Sequence, residues 1–481
     1  MLQAARWLTF GSSVAILVGI APSQILLGLA LAALLLSGEK LRLPPIQLPL
    51  GLFLLGTLIA VAFSSNPMAG LPQVRKIYVF CQLLVVFSVL RNMAQIRWLF
   101  LSWAGIGAIS AMRSFIQFAG KVRQAHAAGR DVYSYYVGER ITGFMSHWAT
   151  FSAEEMFVLI MLGSFLFFAP EARRRTWLWL AIALPCSAGL LLAEMRGIWI
   201  ATAVAGLYLT WLWRRWVVLL VPVVIAAGFL FSPDVIRLRF TSILRPSRLD
   251  SNQFRLVTWR TGLRMIEQHP WLGLGPEMPR IQFDAYVPAD IPRPLPEGSY
   301  IHLHNIYLHY AAERGIPTLL VLLWLMGRIL WDFWRGLRTL PPGRDDRRFL
   351  LHGGIAVVLA TLVNGFTDVN LGDSEVLTMF LVVVACGYLA LEKDVASKYL
   401  KDSAGAVVLP PRLKDAALQH ARSAGISFGE FLRRAVEKAL TDSAPRRGGR
   451  RDSLFDDTAV FHGKVPDDLS RRHDSYLYGE P

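Results

Sequence analysis

Between about residue 232 and residue 316 a polar stretch separates two sets of long apolar runs, and it carries the residues best equipped for chemistry. It holds Arg255, Arg260, Arg264 and Arg280 and closes on His302-Leu303-His304-Asn305, followed by Glu313-Arg314-Gly315. Arg140 and Arg196 stand in two further connections between apolar runs. Arginine stays charged beside a membrane, and its planar fork takes phosphate oxygens in bidentate fashion without a metal. Such guanidinium groups, with an imidazole that exchanges a proton near neutral pH, suit an anionic ligand or a lipid headgroup. His302 lies two residues from His304, sharing a face only on extended chain, and no nearby cysteine completes a ligand set, so no metal is expected. On a continuous helix Glu313 would sit about two and a half turns beyond His304, on nearly the opposite face, which suits it to orienting neighbours.

These residues need a membrane scaffold. The chain has 481 residues, 54% of them hydrophobic and only 18% charged, which excludes an ordinary soluble domain. Apolar runs recur near 7–20, 24–37, 48–64, 75–90, 98–119, 150–169, 176–193, 197–213, 216–231, 316–333, 349–366 and 376–391, so the expected fold is an all-α polytopic membrane protein with about twelve spans. The first two runs are short enough to form one tilted or re-entrant pair. Cys81, Cys186 and Cys386 fall in separate runs and read as small core hydrophobes. Lys40 and Arg42, Arg91 and Arg97, Arg173 to Arg175, Arg214 and Arg215, and Arg335 to Arg348 mark alternate connections as cytoplasmic, which places both termini inside. The loops around Arg140, around Arg196 and from about 232 to 316 then face outward, where so many arginines are unexpected. A long translocated loop whose arginines solvate lipid phosphate is the competing reading of that excess.

Within the outer loop, Leu256, Trp259, Leu263 and Ile266 share one face of an amphipathic helix, expected to lie on the membrane surface or against the rest of the loop. His269 to Pro276 ends it, and Pro288, Pro292, Pro294 and Pro296 keep the following lid-like segment irregular.

After Leu391 the apolar runs end and the composition changes, with a small soluble module expected from about Gly405. Val407 to Leu409 is a short strand candidate, and Pro411 to Ala424 and Ser427 to Leu440 are two amphipathic helices. Residues 405–441 resemble a ribbon-helix-helix module of the antitoxin type, and 442–481 resemble the toxin-embracing tail of such proteins, expected to be disordered alone. The resemblance implies a toxin or DNA partner. The strand lacks the polar side chains that read base edges, and a helical hairpin used for dimerisation or merely tolerated is the competing reading.

Over residues 1–398 the chain resembles the O-antigen ligase and polymerase superfamily, on four patterns in order. These are Arg140-Ile141-Thr142-Gly143-Phe144; Arg196-Gly197-Ile198-Trp199; Arg255 to Trp259 running into His269-Pro270-Trp271-Leu272-Gly273-Leu274-Gly275; and His304-Asn305 with Glu313, Gly315 and Ile316. Ser146-His147-Trp148-Ala149-Thr150 departs from it where many relatives carry Asn-Pro.

The resemblance implies a bacterial inner-membrane glycosyltransferase that moves a glycan from undecaprenyl pyrophosphate to an acceptor hydroxyl on the periplasmic face, in the ligases a sugar of the lipid A core. It needs a base for the attacking hydroxyl and cations for the departing pyrophosphate. His304 suits the first role, Arg140 and Arg196 the second; Arg255, Arg264, Asn305 and Glu313 are further candidates for substrate contact or support. No cofactor is expected, and the transfer is expected to invert the sugar. A polymerase and a protein O-oligosaccharyltransferase share these motifs. A solute transporter is the more distant alternative, disfavoured because the charges concentrate at loops and the large outer loop has no counterpart in the other half.

Overall fold

Alternating apolar runs and short polar connections fold into a helical bundle, seen here in a computed structural model that describes residues 1–231, 237, 252–296, 298–392 and 411–442. The chain divides into two compact units, Met1–Ser403 and Ala404–Pro481. All regular structure among the described residues is helical.

Each of the twelve expected runs coincides with a helix in the first unit, but the helices differ in their fitness to span. Among the described residues, six segments are long and apolar enough to cross a membrane: Pro67–Val89, Met93–Ala127, Trp148–Phe168, Glu171–Leu192, Ile306–Thr339 and Ser374–Leu391. The count of twelve exceeds these for physical reasons. Ile20–Leu36 and Gln47–Ala62 are apolar but short, Leu2–Ala15 has only 14 residues, and Asp346–Asn364 begins on Asp346, Arg347 and Arg348. The first two helices pack as a hairpin, as their lengths suggested. Ser12 donates to the Ser23 carbonyl at 2.9 Å, Ser23 to the Ser12 carbonyl at 2.8 Å, and Gln82 joins them through Ser13 at 2.7 Å. Buried hydroxyls thus satisfy one another where water is absent.

At the centre lie Trp148–Phe168, Asp346–Asn364 and Ser374–Leu391, buried nearly throughout; Phe165 of the first and Phe100 of Met93–Ala127 meet Phe349 of the second edge-on. The outer-loop helix Asn252–Gln268 builds a second, smaller core with Leu274, Met278, Phe283, Val287, Ile291, Leu303 and Ala312. Val257, Thr258, Thr261 and Met265 face that core, whereas Leu256 and Leu263 of the expected apolar stripe are exposed, as they would be on a helix that lies along a membrane surface. The loop fills its own core from the neighbouring stripe of the helix and leaves the two leucines outward. The described residues of the proline-rich segment form no regular element, as expected, yet Val287 and Ile291 pack into that core.

In the second unit, Pro411–Ser423 and Phe428–Asp442 form the two expected helices. Ser427 caps the latter, its hydroxyl accepting from the Glu430 N–H at 3.2 Å. The strand candidate Val407 to Leu409 and the tail after residue 442 lie outside the described residues, as do Arg239, Arg245 and Arg248 of the outer loop.

Candidate functional site

The connections expected to face outward meet at one end of the first unit and enclose a cavity of about 680 Å³. Arg140, Arg196, Arg255, His304 and Glu313, from four regions far apart in sequence, all line it. Lys76, Arg280, Asp368 and Asp373 join them.

Each side chain is positioned by its own device. The Arg140 connection is pinned to the helix Met93–Ala127: Gln117 Oε1 accepts from the Thr142 and Gly143 N–H groups, both at 3.0 Å, and Ser110 Oγ from the Phe144 N–H at 3.1 Å. Arg140 lies 5.4 Å over the Trp148 ring, with Nε 4.0 Å from Glu194 Oε2. Glu139, its neighbour in sequence, pairs with Lys121 at 2.6 Å instead. Arg196 is the first residue of the helix Arg196–Trp213, so its guanidinium is added to the positive end of a helix dipole. Gly197 beside it is required by close approach, because a Cβ there would stand 1.9 Å from Thr367 Oγ1. The glycine lets the Arg196 turn touch the connection that carries Asp368.

His304 occupies the left-handed region at φ 49°, a costly conformation for a non-glycine residue. Its Nε2 lies 3.0 Å from the Ser299 carbonyl, which only accepts, so the proton sits on Nε2 and the lone pair on Nδ1. Burial, followed by the neighbouring His302, holds its pKa down at about 4. The imidazole is therefore neutral at ordinary pH. Burial likewise lowers the pKa of His147, whose Nδ1 caps the helix Trp148–Phe168 by accepting from Ala149 N–H at 3.1 Å. Burial raises that of Asp373, which accepts from Thr150 Oγ1 at 2.8 Å.

Glu313 supports the cavity wall. It pairs with Arg314, stands 3.4 Å from His309 Nε2 and accepts from the Glu277 N–H at 2.8 Å. His304 stands in the left-handed region before Asn305, the N-cap of the helix Ile306–Thr339, so it and Glu313 border the same space despite their spacing; the helix itself kinks at Gly315. The kink locks onto the turn after the loop helix: Leu274 N–H bonds to Ala312 O at 2.8 Å, Gly275 N–H to Glu313 O at 2.9 Å, and Ile316 N–H to Pro270 O at 2.8 Å. Gly315, at φ 78°, would with a Cβ come within 2.0 Å of the Trp271 carbonyl. The third and fourth sequence patterns are thus two halves of one joint.

Two candidates stand outside the cavity lining. Asn305 caps the kinked helix, its Oδ1 accepting from Tyr307 and Leu308 N–H at 3.0 and 3.1 Å. Arg264 donates to the Val287 carbonyl at 3.3 Å and holds the loop together. The sequence reading overlooked Lys76, Asp368 and Asp373. Lys76 follows Arg75 at the outer end of an apolar run, the same excess of positive charge that drew attention to the arginines.

Beside the cavity an apolar crevice of about 60 Å³ runs between helices, lined by residues such as Ile46, Phe53, Leu322, Met326 and Phe380. Gln73 and Lys76 border both spaces, so the polar chamber and the small apolar crevice share one wall.

Residues 181–323 match the O-antigen ligase family. The match takes in Arg196, Arg255, His304 and Glu313 and stops short of Arg140. It supports a membrane glycosyltransferase of the O-antigen ligase or polymerase type, acting on a lipid-linked glycan and an acceptor. The six apolar segments, together with that family match, agree with a bacterial membrane protein. No curated protein matches the chain.

Proposed function

We propose that this chain is an inner-membrane O-antigen ligase-like enzyme that transfers a glycan from undecaprenyl pyrophosphate to a hydroxyl of the lipid A core on the periplasmic face, with both termini in the cytoplasm. The observation that carries the reading is the convergence of Arg140, Arg196, Arg255 and His304 on one cavity that borders an apolar crevice. A carrier lipid has that same division, a diphosphate head on a hydrocarbon tail.

In the proposed reaction Arg140 and Arg196 grip the diphosphate, with Lys76 and Arg255 adding positive charge, while the isoprenoid tail follows the crevice. The acceptor hydroxyl gives its proton to His304 Nδ1, and its oxygen attacks the anomeric carbon. The bond from that carbon to the diphosphate oxygen breaks as the new one forms, so direct displacement inverts the sugar. Charge grows on the departing oxygen as the arginines hold it; each such preorganised donor is worth about 3 kcal/mol, or on the order of 10² to 10³ in rate. His304 enters this step already neutral because burial disfavours its charged form. The residues named for transfer need neither metal nor nucleotide.

Replacing Arg196 or His304 by Ala is expected to leave the protein in the membrane and abolish capped lipopolysaccharide on a gel. A normal ladder from either variant removes that residue from the mechanism. A deletion strain separates ligase from polymerase: uncapped core with accumulated long carrier-linked glycan supports the ligase, and capping by single repeats assigns a polymerase.

A further inference from the structure

We propose that His302, His304 and Asp368 form a binding site for a transition-metal dication of the zinc type, and that its occupancy silences the enzyme by taking the lone pair of His304. One ring nitrogen from each histidine and one carboxylate oxygen of Asp368 lie within 4.8 Å of one another. The two rings stand 4.1 Å apart between centroids, and His302 Nε2 is 3.8 Å from Asp368 Oδ1. Asp368 is the ligand the sequence did not offer, since it approaches from a connection more than sixty residues further on.

The placement of all three is built rather than accidental. Asp368 is held by its own N–H on the Asn364 carbonyl at 3.0 Å and by Val369 N–H on its Oδ1 at 2.8 Å. His304 donates Nε2–H to the Ser299 carbonyl at 3.0 Å, the outer-shell arrangement that fixes a ligating imidazole and leaves its other nitrogen, here Nδ1, for the ion. His302 ligates through Nε2 after its proton shifts to Nδ1, which costs only the long 3.3 Å contact from the His304 N–H. Ligand atoms around one tetrahedral zinc stand about 3.4 Å apart, so small rotations of the rings close the set. Two nitrogens and one oxygen select zinc, copper or nickel over magnesium or calcium. Because His302 and His304 both line the cavity with Asp368, the fourth position opens onto it for water or a phosphate oxygen.

The site stands on geometry; the silencing rests on His304 serving as base. The test uses the full chain, purified in nanodiscs through a tag without histidine and titrated calorimetrically with zinc chloride. One saturable site is expected, reversed by chelator, with no heat from magnesium. His302→Ala and Asp368→Asn should each weaken zinc binding by at least about tenfold. Cobalt in place of zinc should give visible absorption bands in the wild type that both variants lose. Zinc bound equally well by wild type and variants, or not bound by the wild type, overturns the site. Transfer should fall as zinc fills it and return with chelator. Zinc that binds as described while transfer continues unchanged overturns the silencing and unseats His304 as base, leaving the site intact. A chain that binds zinc but shows no transfer even in its absence refutes the functional reading alone.

Discussion

The two ends of the helical unit both collect arginine, and they use it differently. At the end assigned to the cytoplasm, guanidinium groups tie connections together. Arg91 meets Glu39 at 2.7 Å, Arg97 meets Asp346 at 2.7 Å, Arg42 pairs with Glu392, and Arg347 donates to the Ala390 carbonyl at 2.6 Å. At the opposite end Arg140, Arg196 and Arg255 border a chamber large enough for a ligand. Positive charge by itself therefore says little about function in this protein. What separates the ends is whether a cavity large enough for a ligand lies beside the arginines.

The sharpest way to break this contrast is to remove one arginine from each end. Arg196→Ala should lower transfer by about 10² to 10³ while the protein accumulates in the membrane. Arg97→Ala should do the reverse. Its partner Asp346 is almost wholly buried, and losing one member of a buried pair costs about 3 to 5 kcal/mol of stability. The thermal midpoint should drop, with transfer per folded molecule retained. Equal loss of activity per folded molecule from both variants would erase the distinction between the ends.

Gly315→Ala tests whether the cavity wall depends on its backbone joint. A methyl group would meet the Trp271 carbonyl at φ 78°, a strain on the order of 3 kcal/mol. The variant should melt earlier and lose activity although no charged group changed; unchanged stability would mean that the turn and the kink are not coupled.

The pH dependence follows from the lone pair on His304. With its pKa held near 4, the base remains free through the range where an ordinary histidine would protonate. The acid limb of kcat/KM should lie well below 6.5 and approach 4. The sign for stability follows. The unfolded chain takes up the proton first as pH falls below about 6.5, so this group's contribution to stability declines from there down to about 4. An acid limb at 6.5 would show that His304 is not the base, or that the loaded cavity is wetter than the empty one.

Much of this was legible in the sequence. All twelve apolar runs became helices because long stretches of leucine, valine and phenylalanine leave the backbone no other way to satisfy its hydrogen bonds in lipid. Alternation of basic residues grouped Arg140, Arg196 and the long loop at one end, where the structure brings them together. Periodicity marked Leu256 and Leu263 as the apolar stripe of the loop helix but gave no sign that the neighbouring stripe, with Thr258 and Thr261, packs against the loop. Spacing placed Glu313 opposite His304 because one continuous helix was assumed, whereas the helix begins only at Ile306 and His304 turns off in the left-handed region before it. Asp368 had no local signature, since its place beside His302 arises only from the meeting of two connections.

The smallest expected effects come from one helix and sharpen the comparison most finely. Arg255 and Arg260 lie five residues apart on Asn252–Gln268, but Arg255 lines the cavity and Arg260 holds exposed Asp290 at 2.7 Å. A charge-assisted contact to phosphate is worth about 1.5 to 3 kcal/mol, so Arg255→Ala should lower kcat/KM by roughly 10- to 100-fold. An exposed ion pair contributes little, because water screens it and two long side chains must be ordered to make it. Arg260→Ala should therefore change neither transfer nor melting measurably. If it costs as much as Arg255→Ala, then the loop's overall field attracts the donor, and the walls of the cavity do not select among its arginines.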